Sequence, residues 1–269
     1  IEAPAGQTTA IARTVRGEPI SLTRSGTWSG GSQSLTRSYV YDAHRRLCKT
    51  LEPETGATVM GYDAASNLTW TAAGLALPGT SDASCGPDRT AAYSSGRRVD
   101  RTYDARHRLT TLAFPDGNGN QTWTYTADGL PASITTLNSY GTSSVVNSYS
   151  YNKRRLMTAE AVDMPGWYNW TLQYAYNTNG HLSAQTYPSG LVVGYAPNAL
   201  GQATQAGSYA TGVQYFPNGA IQQFTYGNGI VHTMVQNARQ LPASSTDTGG
   251  ALSQQFVYDR NGNVTGVTD

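Results

Sequence analysis

Internal self-similarity is what most limits the folds open to this chain. Aligning Tyr103, Tyr176 and Tyr215 places Leu109, Leu182 and Ile221 six residues on. The same alignment sets Phe114, Tyr187 and Tyr226 eleven residues on, and Gly117, Gly190 and Gly229 fourteen on. A shift of 39 superposes Thr186, Tyr187, Gly190 and Val192 on Thr225, Tyr226, Gly229 and Val231, with Gly180 on Gly219. A chain built this way repeats one supersecondary element, because no single copy can bury its apolar face alone.

The opening of the unit recurs along the chain. It reads Tyr41-Asp42 to Leu47, Tyr62-Asp63 to Leu68, Tyr103-Asp104 to Leu109 and Tyr125 to Leu130. Further copies are Tyr151-Asn152 to Leu156, Tyr176-Asn177 to Leu182 and Tyr258-Asp259 to Val264, with weaker ones starting at Tyr195, Tyr215 and Val235. Spacing runs near 20 residues, from 19 to 26, apart from a 41-residue gap between Tyr62 and Tyr103. Each position has a physical job. The tyrosine ends a strand, its ring on the packed face and its hydroxyl in water. Asp or Asn next to it bonds the backbone two residues on and starts a turn. Gly180, Gly219 and Gly262, four residues after the tyrosine, accept the positive φ that closes a hairpin. Arg, Ser or His replaces that glycine in other copies, which predicts a different turn type there. A second turn closes the unit at Phe114-Pro115-Asp116-Gly117, Tyr187-Pro188-Ser189-Gly190 and Tyr226-Gly227-Asn228-Gly229, where glycine takes the corner and, in the first two, proline presets φ. The unit is therefore one hairpin with strands of roughly six or seven residues. About twenty such strands span ~100 Å, and a sheet that wide should curl.

Composition agrees with an all-β chain. Charged residues are 13% of the total, with 29 Gly and 18 Tyr against 4 Phe. Disordered chains are poor in aromatics and rich in charge, so disorder is excluded. Tyrosine and threonine suit a half-wet pleated surface. A formal charge of +1 gives no long-range pull on nucleic acid or an anionic membrane. Mean hydropathy is −0.43, and no apolar run approaches the ~18 residues of a membrane-spanning helix. The chain opens on Ile1 and stops at Asp269 within a repeat, which reads as a fragment of a longer protein. Residues 1–36 are expected to form a degenerate leading repeat or an N-terminal part of the sheet. Residues 37–269 are the repeat region, with an irregular insertion at about 74–90. The two cysteines, Cys48 and Cys85, leave two readings open: free thiols, or one bridge tying the insertion to a neighbouring hairpin.

No catalytic, cofactor-binding or metal-binding residue is expected. His44 and His107 sit in turns, His181 follows the turn residue Gly180, and His232 lies on the strand after Gly229; none has a second ligand at metal spacing. Asp42, Asp63, Asp104 and Asp259 recur at one structural position, which points to turn capping and away from an acid–base pair of unlike carboxylates. No Gly-x-Ser-x-Gly elbow is present, and the Gly-Asn-Gly segments at Gly117 and Gly227 are hairpin turns that open no helix. Arg45-Arg46, Arg97 to Arg101 and Lys153 to Arg155 read as solvated turns or hairpin edges before they read as a nucleic-acid platform. Trp167, Tyr168 and Trp170 read as hairpin packing, with a sugar-stacking patch as the rival. The structural positions of the repeat are thus Tyr41, Asp42, Tyr62, Asp63, Tyr103, Asp104, Gly117, Tyr176, Gly180, Gly190, Tyr215, Gly219, Gly229, Tyr258, Asp259 and Gly262.

The pattern Tyr-Asp-x-x-Gly/Arg-Asn/Arg-Leu followed by Pro-Asp-Gly resembles the YD repeat of the Rhs family, which also occurs in the C component of Tc toxins and in teneurins. The resemblance covers residues 37 to 269, and Tyr258 to Asp269 match it best. It implies a strip of hairpins wound into a spiral β-shell that encloses a C-terminal toxin in secreted or surface-borne bacterial effectors used in competition or virulence. The partners it implies are an enclosed polypeptide cargo, the rest of the shell and a secretion machinery, with delivery into a target cell. An adhesive or carbohydrate-binding repeat surface is the alternative. The Asp-Pro-x-Gly-Leu element that such shells carry for self-cleavage does not occur in this sequence, so the resemblance extends to the wall and not to a protease or a cargo.

Overall fold

The computed structural model describes residues 2–3, 7–28, 30–81, 85–138 and 141–269. Residues 82–84 of the irregular stretch, and 1, 4–6 and 29 of the leading segment, lie outside them. The chain divides into two compact units, residues 1–146 with 164–166, and residues 147–163 with 167–269.

The first unit contains β1 (Glu2–Ala3), β2 (Gln7–Arg13), β3 (Pro19–Trp28), β4 (Gly31–Tyr41), β5 (Leu47–Glu52), β6 (Gly56–Tyr62) and β7 (Leu68–Leu75). After the helix α1 (Cys85–Tyr93) come β8 (Arg98–Tyr103), β9 (Leu109–Ala113), β10 (Asn120–Tyr125) and β11 (Pro131–Asn138). The strand β12 (Ser143–Tyr151) starts in the first unit and ends in the second. The second unit carries β13 (Met157–Met164), β14 (Tyr168–Tyr176), β15 (Leu182–Thr186) and β16 (Val192–Gly194). It continues with β17 (Ala210–Tyr215), β18 (Ile221–Tyr226), β19 (Val231–Gln236), β20 (Pro242–Asp247), β21 (Ser253–Tyr258) and β22 (Val264–Thr268). In the first unit β1 to β11 lie in chain order, and in the second β13 to β16 and β17 to β22 are two separate runs; within each run every strand lies beside its chain neighbour and no connection crosses over. The fold is therefore all-β and antiparallel, as the repeat requires, because tight two-turn hairpins leave no length for a parallel crossover.

Few side chains are buried. Most strand residues are half-exposed on both faces, as in β11 and β20. Apart from Val193 on β16, the buried hydrophobic residues sit in the first unit, where α1 lies over the sheet. Strand β6 there alternates half-buried and buried residues along its length, the period of a strand with one covered face. Pairing aligns Val40 with Lys49, Lys49 with Val59 and Val59 with Ala72, so one row crosses β4 to β7. Val59, Trp70, Ala72 and Ala92 form a core cluster with Leu75 and Leu77 packed on it, and Val40, Cys48 and Cys85 form another. Gly61 stands opposite Trp70, whose indole occupies the space that a Cβ would need.

The helix is the main departure from the sequence reading, which left 74–90 irregular. Pro87 falls in its first turn, where a missing N–H costs nothing, and Asp88 beside it complements the helix dipole.

Candidate functional site

The residues with the most polar chemistry gather on the edge of the sheet where the tyrosine turns lie. At Asp42 the backbone N–H of Arg45 donates to the Asp42 carbonyl, and Asp42 N–H donates to the Arg46 carbonyl, at 2.8 and 2.9 Å. The pairing register shifts between Val40 and Tyr41, as it does before Tyr62, Tyr103, Tyr125, Tyr176, Tyr215 and Tyr258. This is a type I turn closed by a left-handed residue in a bulge. The left-handed position is Gly129, Gly180, Gly219 and Gly262 in some copies. In others it is Arg45, Ser66, His107, Arg155 or Gln240, with φ between 61° and 67°. The expectation that these copies use another turn type is corrected: the same hydrogen bonds close Asp63–Ser66, Asp104–His107, Asn152–Arg155 and Asn237–Gln240. Pairing to the neighbouring strands enforces the turn, and the non-glycine residue accepts the strain.

Two weak copies are also shifted. The turn assigned to Tyr195 begins at Asn198, after Pro197, and closes at Gly201; the one assigned to Val235 begins at Asn237, after Gln236. The leading segment carries a turn of the same kind, Thr14 to Gly17.

The residue after the tyrosine organises each loop. Asp42 Oδ1 accepts from the backbone of His44 and Arg46, and Asp104 Oδ1 from Arg106 and Arg108. Asn152, Asn177, Asn198, Asn237 and Asp259 repeat the pattern. The second carboxylate oxygen takes a side chain: Arg46 on Asp42, Asn67 on Asp63, Arg108 on Asp104 and Asn263 on Asp259. The Arg108 guanidinium and the backbone donors hold the Asp104 carboxyl down at about 2. Asp63 and Asp259 are lowered chiefly by their asparagine partners. At Asp42 burial pushes upward, but the Arg46 hydrogen bonds outweigh it.

The tyrosines reach from one hairpin to the one before. Tyr41 Oη donates to the Pro19 carbonyl, Tyr62 to Leu47, Tyr103 to Leu68 and Tyr125 to Leu109, at 2.7–2.9 Å. In the second unit Tyr176 donates to Met157 and Tyr215 to Ala203. Leu47, Leu68, Leu109 and Met157 stand six residues after the tyrosine that opens the preceding unit, and with Pro19 they are the first residues of returning strands; Ala203 lies in an isolated bridge. The expectation of a hydroxyl left in water is corrected: it is a part-buried stitch between repeats. Burial accordingly raises the Tyr41, Tyr62 and Tyr125 hydroxyls above the ordinary range.

Arginines make a second link in the opposite direction, from one hairpin to the next. Arg46 lies over the Tyr62 ring at 4.9 Å and Arg108 over Tyr125 at 4.2 Å. Arg46 also donates to the Asp63 carbonyl, Arg106 to Ala127, Arg154 to Thr178 and Arg239 to Asp259. Arg46 and Arg154 of the basic clusters are thus turn-to-turn connectors, while Arg45 pairs back to Glu18 and Arg97 donates to the Gly74 carbonyl. Arg98 instead pairs with Asp100 and covers the Tyr93 ring at 3.7 Å.

Two further groupings escaped the sequence reading. Lys49 is fully buried, with its Nζ bonded to the Gly79 carbonyl and 2.7 Å from Asp88 Oδ2 on α1. His232 Nδ1 lies 2.7 Å from Asp247 Oδ1, and its ring is 4.9 Å from Phe224. Their partners sit far off in sequence, Lys49 and Asp88 across the irregular stretch and His232 and Asp247 on paired strands, so no local motif marks them. His44 and His107 are exposed in turns, and His107 Nδ1 is 3.1 Å from Asn67 Oδ1. The Cys48 and Cys85 sulfurs are paired, with Cα atoms 6.1 Å apart. Trp167 and Tyr168 are 80% and 45% exposed. Among the described residues no group of three or more His, Cys, Asp or Glu could hold a metal ion, and no helix is long and apolar enough to cross a membrane.

No family model matches this chain, and no curated protein matches its sequence. Solved structures do match. A chain of the Photorhabdus luminescens Tc holotoxin pore aligns over 97% of this chain at 14% identity, with a TM-score of 0.61. The TcdB2-TccC3 crystal structure aligns over 96% at 14% identity and a TM-score of 0.60, and so does TcdB2-TccC3 without its hypervariable C-terminal region. This chain spans 15% of the length of each of those chains. The resemblance read from the tyrosine repeats therefore holds at the level of fold.

Proposed function

We propose that this chain is a wall segment of an Rhs-type shell that encapsulates and shields a C-terminal toxin, or another polypeptide cargo, in a secreted bacterial effector. The observation that carries the reading is the stitch from tyrosine hydroxyl to preceding carbonyl, repeated through both units. Six tyrosines fasten a hairpin to the one before it through side chains, in addition to the strand pairing within each sheet, which suits a continuous wall. The half-wet faces fit the same role. A single sheet layer with little buried apolar surface offers an enclosed chain a polar lining that holds it weakly. Residues 37–269 would form the repeat wall and 1–36 a degenerate leading repeat whose turn is Thr14 to Gly17. The role is structural and not enzymatic, since the aspartates and most of the arginines described above are engaged in turns and links. Its partners are the cargo, the rest of the shell and the secretion machinery, and it acts outside the producing cell or inside the target.

Limited proteolysis of the parent protein tests this. A C-terminal tail inside the shell resists a protease that cleaves the same tail expressed alone; equal cleavage rates would remove the proposal. A carbohydrate-binding surface is the second reading, favoured by the exposure of Trp167 and Tyr168. Reproducible glycan-array binding, lost in Trp167→Ala, would support it over the shell.

A further inference from the structure

We propose that Cys48 and Cys85 form a reducible latch on α1, opened by a small thiol that attacks the Cys85 sulfur. The two cysteines differ in access. Cys48 is 1% exposed within the sheet, whereas Cys85, 6% exposed, lines an open groove of about 580 Å³. Tyr41, Asp42, His44, Arg46 and Arg89 also line that groove. Arg46 is neutralised by Asp42, which leaves Arg89 to draw in the thiolate, the nucleophile in exchange.

The helix depends on the latch because it has little else. It is nine residues long, below the roughly 12–15 residues at which isolated helices become even marginal in water. Cys85 and Ala92 are its buried residues; its further attachments are Asp88 on Lys49 and, at the far end from Cys85, Tyr93 on Trp70 and under Arg98. The bridge spans 37 residues of sequence. Releasing it frees the end of α1 and uncovers Val40, Val59, Trp70 and Ala72.

The step balances as ordinary exchange. A thiolate RS⁻ forms a bond to Cys85 Sγ as the Cys48–Cys85 bond breaks, and Cys48 leaves as a thiolate that takes a proton from water. A second thiol then attacks the sulfur of R, giving RSSR and free Cys85. The thiol is oxidised and the bridge is reduced.

Brief exposure of the full chain to limiting 2-mercaptoethanol, followed by iodoacetamide and peptide mass mapping, tests the chemistry. The expected product carries the mercaptoethanol adduct on Cys85 and the alkyl label on Cys48. The reverse placement, or labelling of both cysteines without any thiol, overturns the proposal. Hydrogen exchange tests the latch. On full reduction by dithiothreitol the amides of 85–93 exchange about tenfold faster while those of β18 to β21 do not change. The C48S/C85S chain shows the fast rate without reductant. Unchanged exchange at 85–93 after both thiols are labelled overturns the proposal.

Discussion

Ser66, in the left-handed corner of a tyrosine turn at φ 67°, shows what a single residue contributes to this fold. A side chain there costs about 1–2 kcal/mol relative to glycine, while glycine loosens the unfolded chain by about 0.4–1 kcal/mol. The relief is larger, so Ser66→Gly should stabilise the chain by about 0.5–1 kcal/mol. Gly262→Ala, at φ 88°, should lose about 1 kcal/mol. Denaturant midpoints of the two variants check both signs. Asp104 gives a pH test at the same scale. Its folded value of about 2 lies below the ordinary 3.8, so the turn's contribution is complete above pH 3.8 and is lost as pH falls through 2. Carboxyl NMR should place the Asp104 midpoint near 2 and move it upward in Arg108→Met; a midpoint at 3.8 in the parent chain would contradict the Arg108 contact. The aspartate and glycine positions are legible from sequence because their chemistry is local. Arg45, His107 and Gln240 hide the same corner, since a strained residue looks like any other until neighbouring strands fix its φ.

At the scale of the hairpin, stability rests on links that no one unit contains. Tyr62→Phe removes the donor from the Leu47 carbonyl and keeps the ring under Arg46. It should cost about 1 kcal/mol, the net worth of one hydrogen bond. Thermal unfolding checks this, and an unchanged Tm would mean that water replaces the hydroxyl. The helix makes a sharper case. Asp88→Ala strands the buried Lys49 charge and should cost about 3 kcal/mol, whereas K49M/D88L restores much of that loss because an apolar pair needs no compensation. Hairpin boundaries follow from the sequence because turn residues and strand period are local signals. The stitches are less legible, since a tyrosine names its own strand but not the carbonyl one repeat back. The helix was hidden because its nine residues interrupt the repeat without a long amphipathic pattern of their own.

At the scale of the whole molecule, the decisive property is that both units are built of thin β-sheet with half-wet faces, and the main core lies in the first unit under one short helix. A sheet of this kind gains little from burial, so its order comes from pairing, turn geometry and the tyrosine and arginine links. The shell reading follows from that economy together with the fold shared with much longer chains, of which this one spans 15%. The repeat was visible in the sequence because its spacing is nearly fixed. The proposed cargo was not, because enclosure is a property of a whole shell and no residue of one hairpin encodes it. Electron microscopy of the full-length parent protein tests the central claim most directly. The account predicts residues 37–269 traced as consecutive hairpins in the wall of a closed hollow shell, with polypeptide density inside. An open sheet with both faces in solvent and no cavity would contradict it.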